Sequence, residues 1–235
     1  MSAPDVYLTV DVEPDCPPYL WTWRGIEEGM PKLLDLLGQE AVPATLFVTG
    51  ATAERYPATV ERMVRDGHEI GCHGYSHDSF AEFDEARARD EIEGTNRILR
   101  RFAPVTSFRA PYLKFPERFL PILTGDGMTL DASRAKYKFK ERPASMPGLR
   151  RMEASITPSV TRLPAMIRDP WLSSLRSPVV LFFHPWEFVD VTASPIPYDC
   201  RFRTGQPALD SLRATIRLFR DKGARFRLAR DLPST

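Results

Sequence analysis

A chain of 235 residues, 43% apolar and 27% charged, is long enough to bury a full core and is expected to form a single domain over residues 1–235. A net charge of +1 excludes a global electrostatic pull toward nucleic acid, so a charged partner must be met by a local patch. Three cysteines without paired spacing, Cys16, Cys72 and Cys200, argue against a disulfide scaffold and fit a reducing compartment.

Short strand-like runs alternate with helical patterns. Val6–Val10 reads as a first strand, reached without the basic start and apolar segment of a secretory signal. From Glu27 to Glu40, Met30, Leu33, Leu34 and Leu37 share one helical face. Pro43 then opens a second strand, Ala44–Val48. A helix at Pro57–Asp66 ends at Gly67, and His68–Cys72 is a third strand. Asp84 is suited to cap a charged helix reaching Phe102, before a fourth strand at Val105–Phe108. Another helix and strand follow, Glu117–Leu123 and Met128–Asp131.

Between Arg134 and Ser177 the periodicity dissolves into Pro-rich sequence carrying Lys136, Lys138, Lys140, Arg142, Arg150 and Arg151, with one strand candidate at Met152–Ile156. Val179–Phe183 reads as a buried strand, and a helix at Ala208–Asp221 and a strand at Arg225–Leu228 close the chain. Seven or eight strand–helix units in this length predict an α/β fold, a distorted (β/α)7–8 barrel, rather than an open sheet. No stretch approaches the length of a membrane-spanning helix, so a cytoplasmic location is expected.

In such a barrel, reactive groups sit where strands run into loops. Asp11 and Glu13 end the first strand, His73 and His77 follow the third, Arg109 and Tyr112 follow the fourth, and His184 ends the run Leu181–Phe183. Asp11 and Glu13, two apart in an extended chain, point the same way, and two carboxylates so close call for a cation. His73 and His77, four apart, can face one point; with one carboxylate they make three ligands and leave a zinc-like ion open to water. The plainer alternatives are an ordinary histidine pair, a solvated turn after strand one, and a capping histidine at 184. Cys72 and His68 read as structural. Trp21, Trp23 and Trp186 suggest sugar-stacking faces, against the plainer reading of packed rings.

Taken in order, Thr9–Glu13, His73–His77, Arg109–Tyr112 and Leu181–His184 resemble the signature motifs of the polysaccharide deacetylases, the NodB-homology family, over about Val6 to Leu232. The resemblance implies a NodB-type barrel with one divalent ion, usually zinc, with cobalt, nickel or iron as alternatives, and removal of an N-acetyl or N-formyl group from an amino sugar. It implies Glu13, His73 and His77 as metal ligands and Asp11 as base, two carboxylate roles left exchangeable because Val12 separates residues that the family keeps adjacent. Arg109 would orient the base, the Tyr112 backbone N–H would meet the oxyanion, and His184 would be the acid, with Asp131 near where the family often places the carboxylate orienting that histidine. Trp23–Leu34 also looks like the corresponding region of deformylases of polyprenyl-phosphate-linked formyl-aminoarabinose. With the basic stretch, this suggests a lipid-linked or nucleotide-linked sugar and contact with the inner membrane face; the plainer reading of that stretch is a solvated loop. Competing readings are a metal-independent cyclic-amide hydrolase, as in allantoinase-like relatives, and a non-catalytic carbohydrate-binding relative.

Overall fold

The computed structural model describes residues 3–138 and 144–233. In chain order the regular elements are β1 (Asp5–Val12), α1 (Met30–Gln39), β2 (Thr45–Val48), α2 (Gly50–Arg55), α3 (Pro57–Arg65), β3 (Glu69–Cys72), α4 (Glu85–Leu99), β4 (Ser107–Phe108), α5 (Leu120–Gly125) and β5 (Leu130–Ala135). They continue with β6 (Arg150–Ala154), α6 (Pro158–Thr161), α7 (Ala165–Ser174), β7 (Val179–Phe183), α8 (Tyr198–Arg201), α9 (Gln206–Asp221) and β8 (Arg225–Arg227). Strands and helices alternate as expected, and contacts group them into two compact units, Met1–Ala44 with Ser155–Arg227, and Thr45–Ala154 with Leu228–Thr235.

In the first unit β1 is flanked by two parallel neighbours. Val6 pairs with Val179 and Val10 with Phe183 on the β7 side, and Asp5 with Arg225 and Tyr7 with Arg227 on the β8 side. Seven consecutive residues of β1 are buried, the near-continuous burial of a parallel strand covered on both faces. A π-type turn at Gly25–Gly29 leads into α1, where one continuous helix was expected. Both glycines are forced by close approach. A Cβ at Gly29 would meet the Pro185 carbonyl oxygen at 2.1 Å, and one at Gly25 would meet the Trp186 nitrogen at 2.5 Å. That turn therefore lies backbone to backbone against the short 3₁₀ turn Pro185–Phe188 that follows β7.

In the second unit five strands run parallel in the order β2-β3-β4-β5-β6. Pairing of β5 with β6 slips between Asp131 and Arg134, an irregularity that re-aims the strand's end. Strand β6 begins at Arg150, two residues before the expected strand, and Ser155 and Ile156 lie beyond it. The aperiodic stretch also holds a helix the pattern does not announce: α7 carries Pro170 inside it and leaves Met166, Ile167 and Trp171 exposed, so its apolar residues do not trace a core-facing stripe.

Candidate functional site

The first unit carries two carboxylates and one imidazole. Asp11 and Glu13, at the end of β1, are each only 4% exposed. His184 follows β7, and its Nε2 stands 4.0 Å from an Asp11 carboxylate oxygen and 3.9 Å from one of Glu13. Nδ1 of His184 is 2.9 Å from Glu187 Oε1, which also accepts the His184 backbone N–H at 2.9 Å. Because a carboxylate can only accept, Nδ1 carries a hydrogen, and Nε2 is the nitrogen that gains or loses a proton. Burial alone would lower the imidazole pKa, but Glu13, Glu187 and Asp11 favour its charged form and push it up to about 9.

Glu187 thus holds the place expected of Asp131. Asp131 sits instead in the second unit, where its carboxylate accepts from Ser133 N (3.0 Å) and Ser133 Oγ and pairs with Arg151 Nε at 3.0 Å. Burial raises its pKa while Arg151 and Ser133 pull the other way. Ser133 Oγ in turn accepts the Ala110 backbone N–H at 2.8 Å, so Asp131 braces the segment after β4. A signal for Glu187 does exist in the sequence: His-Pro-Trp-Glu has the spacing of a helix-start capping box, a polar residue followed three positions later by Glu, with proline between at the first position.

The tryptophans separate. Trp186 is 5% exposed and stacks on His184 with ring centroids 5.0 Å apart and planes 21° apart. Its face is spent on the histidine, which corrects the expectation of a sugar-stacking surface. Trp21 is 54% exposed and Trp23 half-buried. The loop that carries them is tied down by Asp15, whose carboxylate accepts from Gly25 N at 2.8 Å and from Thr22 Oγ1. Cys16 and Cys200, far apart in sequence, pack in one cluster with Trp186, Val191 and Ile196.

The second unit carries two imidazoles and a guanidinium. His73 continues β3, donating its backbone N–H to Val48 O at 3.1 Å. Its Nδ1 lies 2.8 Å from the Arg109 carbonyl oxygen; a carbonyl accepts only, so Nε2 of the neutral ring keeps the lone pair a cation takes. Gly74 and His77 both adopt positive φ, 71° and 65°, which turns the loop back and brings the two imidazoles to a centroid separation of 5.3 Å. Glu91 of α4 clamps this loop, accepting from Tyr75 N at 2.7 Å, Ser76 N at 3.4 Å and Ser76 Oγ at 3.1 Å. Tyr112, also at positive φ, meets His77 edge-on at 4.7 Å. Arg109 is fully buried: Nε donates to Ala132 O at 3.2 Å and the guanidinium lies 4.3 Å over the Phe47 ring. Burial pushes the Cys72 thiol up to about 12, as suits a core residue and not a ligand.

The basic stretch is largely occupied by its own unit. Arg151 pairs with Asp131, Arg150 donates to the Arg230 carbonyl at 2.9 Å, and Lys138 donates to the Tyr112 carbonyl at 2.9 Å. Lys140 and Arg142 lie outside the described residues.

A model of the polysaccharide deacetylase family matches residues 1–130. A peptidoglycan-N-acetylglucosamine deacetylase of Bacillus cereus is 39% identical over 110 residues, 46% of this chain and 36% of that protein. A chitooligosaccharide deacetylase of Sinorhizobium fredii is 30% identical over 162 residues, 68% of each. The match therefore spans about a third of the first relative's length and two thirds of the second's. Among solved structures, a peptidoglycan N-acetylglucosamine deacetylase in complex with an N-oxidanyl-benzamide is similar over 95% of this chain and 85% of its own, with 27% identity and a TM-score of 0.65. A family 4 carbohydrate esterase from Streptomyces lividans in complex with acetate shares the fold at 17% identity and a TM-score of 0.65, over 95% of this chain and 92% of its own. A pseudoenzyme of that family from Bacillus anthracis does so at 16% identity and 0.66, over 97% and 63%. The expected fold class, an α/β barrel built of strand–helix units, is borne out by this likeness.

Proposed function

The chain belongs to the polysaccharide deacetylase family, and from that premise we propose that it is a metal-dependent hydrolase that removes an N-acyl group from an amino sugar. Buried Glu13, His73 and His77 are a donor set of the kind that holds one divalent cation. The observation that carries this reading is the His73 Nδ1 contact with the Arg109 carbonyl, because it leaves Nε2 as the coordinating atom and is the outer partner that metal-binding imidazoles commonly have. Two imidazoles and one carboxylate suit zinc and also cobalt, nickel or iron. A cation held there supplies Lewis acidity, sharpening the electrophilicity of an amide carbonyl and the acidity of a water.

The remaining steps belong to the protein's own side chains. Asp11, with Glu13 assigned to the cation, takes the proton from the attacking water. Arg109, its Nε fixed on Ala132, holds that carboxylate in place. The Tyr112 backbone N–H faces the developing oxyanion. His184 then delivers a proton from Nε2 to the departing nitrogen, which is otherwise a poor leaving group, while Glu187 and Trp186 fix the ring.

For the substrate, the matched relatives named for peptidoglycan and chitooligosaccharide support an N-acetylated amino sugar within a glycan. An N-formyl sugar on a lipid or nucleotide carrier is the alternative, and it loses support from the arginines already engaged at 150 and 151. The test is a screen of N-acetyl and N-formyl sugars, free, oligomeric and carrier-linked, for released acetate or formate with and without added zinc. Release that depends on metal and falls by about 10²–10⁴-fold in Asp11→Ala and His184→Ala is expected. No release with any metal, the outcome a pseudoenzyme gives, overturns the reading.

A further inference from the structure

Arg162 lies in the aperiodic stretch, where nothing in the sequence sets it apart from the neighbouring basic residues. It is nonetheless 2% exposed. Nη1 donates to the carbonyls of Cys200 at 2.8 Å and Phe202 at 2.7 Å, and Nη2 donates to that of Asp199 at 2.7 Å. Its Nε is 3.3 Å from Glu187 Oε2, with the two side chains 3% and 1% exposed. A cation so deeply buried is expensive unless its partners are well placed, and this one has three carbonyls and a carboxylate. The opposite oxygen of that carboxylate is the one that holds His184, through both Nδ1 and the backbone N–H. A second tie comes from Gly205, whose N–H donates to the Glu187 carbonyl at 2.8 Å. The buried guanidinium and carboxylate and the partly buried imidazole thus form one line that ends at Nε2, near Asp11 and Glu13.

We propose that Arg162 is a positioning residue: acting through Glu187, it fixes the His184 ring so that Nε2 delivers its proton to the departing nitrogen. The inference rests on the deacetylase reading. An arginine is needed because its planar fork can hold three backbone carbonyls through Nη1 and Nη2 while its charge stays within ion-pair distance of the Glu187 carboxylate, which a lysine ammonium cannot do. Since misplacement of a reacting group by about 1 Å can cost on the order of 10²-fold in rate, losing the fork should be felt in the chemical step and little in substrate binding.

The test compares two acyl donors on metal-loaded enzyme: an N-acetylglucosamine oligomer, whose nitrogen must be protonated to leave, and 4-nitrophenyl acetate, whose phenolate needs no proton. The variants are Arg162→Lys, which keeps the buried positive charge opposite Glu187, and Arg162→Gln, which keeps a donor for the carbonyls, with Glu187 left in place in both. In both, kcat on the amide is expected to fall at least about tenfold, with KM and the ester rate within about threefold of wild type. In parallel, the low-field imidazole N–H resonance of His184 should broaden or move in the variants. Equal losses on amide and ester, or an unchanged amide rate with an unchanged resonance, would overturn the proposal. A wild type that cleaves the ester and never the amide overturns the deacetylase reading itself, and with it the role given to Arg162.

Discussion

His184 shows how much of a residue's chemistry is set by its neighbours. A histidine at the end of an apolar strand is visible in the sequence, and so is the chance that it is merely a cap. What decides its character is three carboxylates, two of them, Asp11 and Glu13, more than 170 positions away in sequence. In metal-free protein the imidazole is expected to titrate near 9 instead of its ordinary 6.5. Because the folded-state value is raised, the stabilisation from protonated His184 is fully present below pH 6.5 and is lost as the pH rises through about 9. A cation taking up the Glu13 charge should lower that titration. Two-dimensional NMR of the imidazole, with and without zinc, checks both directions; a metal-free value at or below 6.5 contradicts the electrostatic account. Glu187 was harder to see than His184 because a Glu three residues into a turn usually caps it, and here the same oxygen caps the turn and holds the ring.

At the scale of elements, the strands were readable because parallel strands are continuous apolar runs, and the first helix was readable from its period. Its entry was not. The π-type turn at Gly25–Gly29 exists because the Pro185–Phe188 turn presses on it, a contact between segments about 160 residues apart that no local pattern encodes. This gives a paired expectation. Gly29→Ala puts a methyl group 2.1 Å from a backbone oxygen and should destabilise by about 1–3 kcal/mol while disturbing the turn behind His184. Gly38→Ala, in α1 with nothing within 4 Å of the new methyl, should be neutral or gain up to about 1 kcal/mol. Urea unfolding of the two variants distinguishes them, and equal effects would mean that the close approach does not constrain the turn. Helix α7 escaped the sequence for a different reason: Pro170 and the exposed Met166 and Ile167 break the stripe on which periodicity depends.

For the molecule as a whole, the ordered motifs and the alternation of strands and helices were enough to give the fold class and the family. The grouping of residues into two compact units, each assembled from separated stretches of chain, was not legible, because it is made of long-range contacts. Nor was the fate of the basic stretch, whose arginines at 150 and 151 are engaged by a carbonyl and a carboxylate. In the proposed function Glu13, His73 and His77 hold one cation. Calorimetric titration of zinc into the metal-free chain tests it most directly. One equivalent is expected to bind, with Glu13→Ala, His73→Ala and His77→Ala each weakening it by more than the roughly 10–100-fold cost of losing an outer partner, and with Asp11→Ala retaining the site. Zinc bound as tightly after any of the three ligand substitutions, or a loss confined to Asp11→Ala, would contradict the assignment.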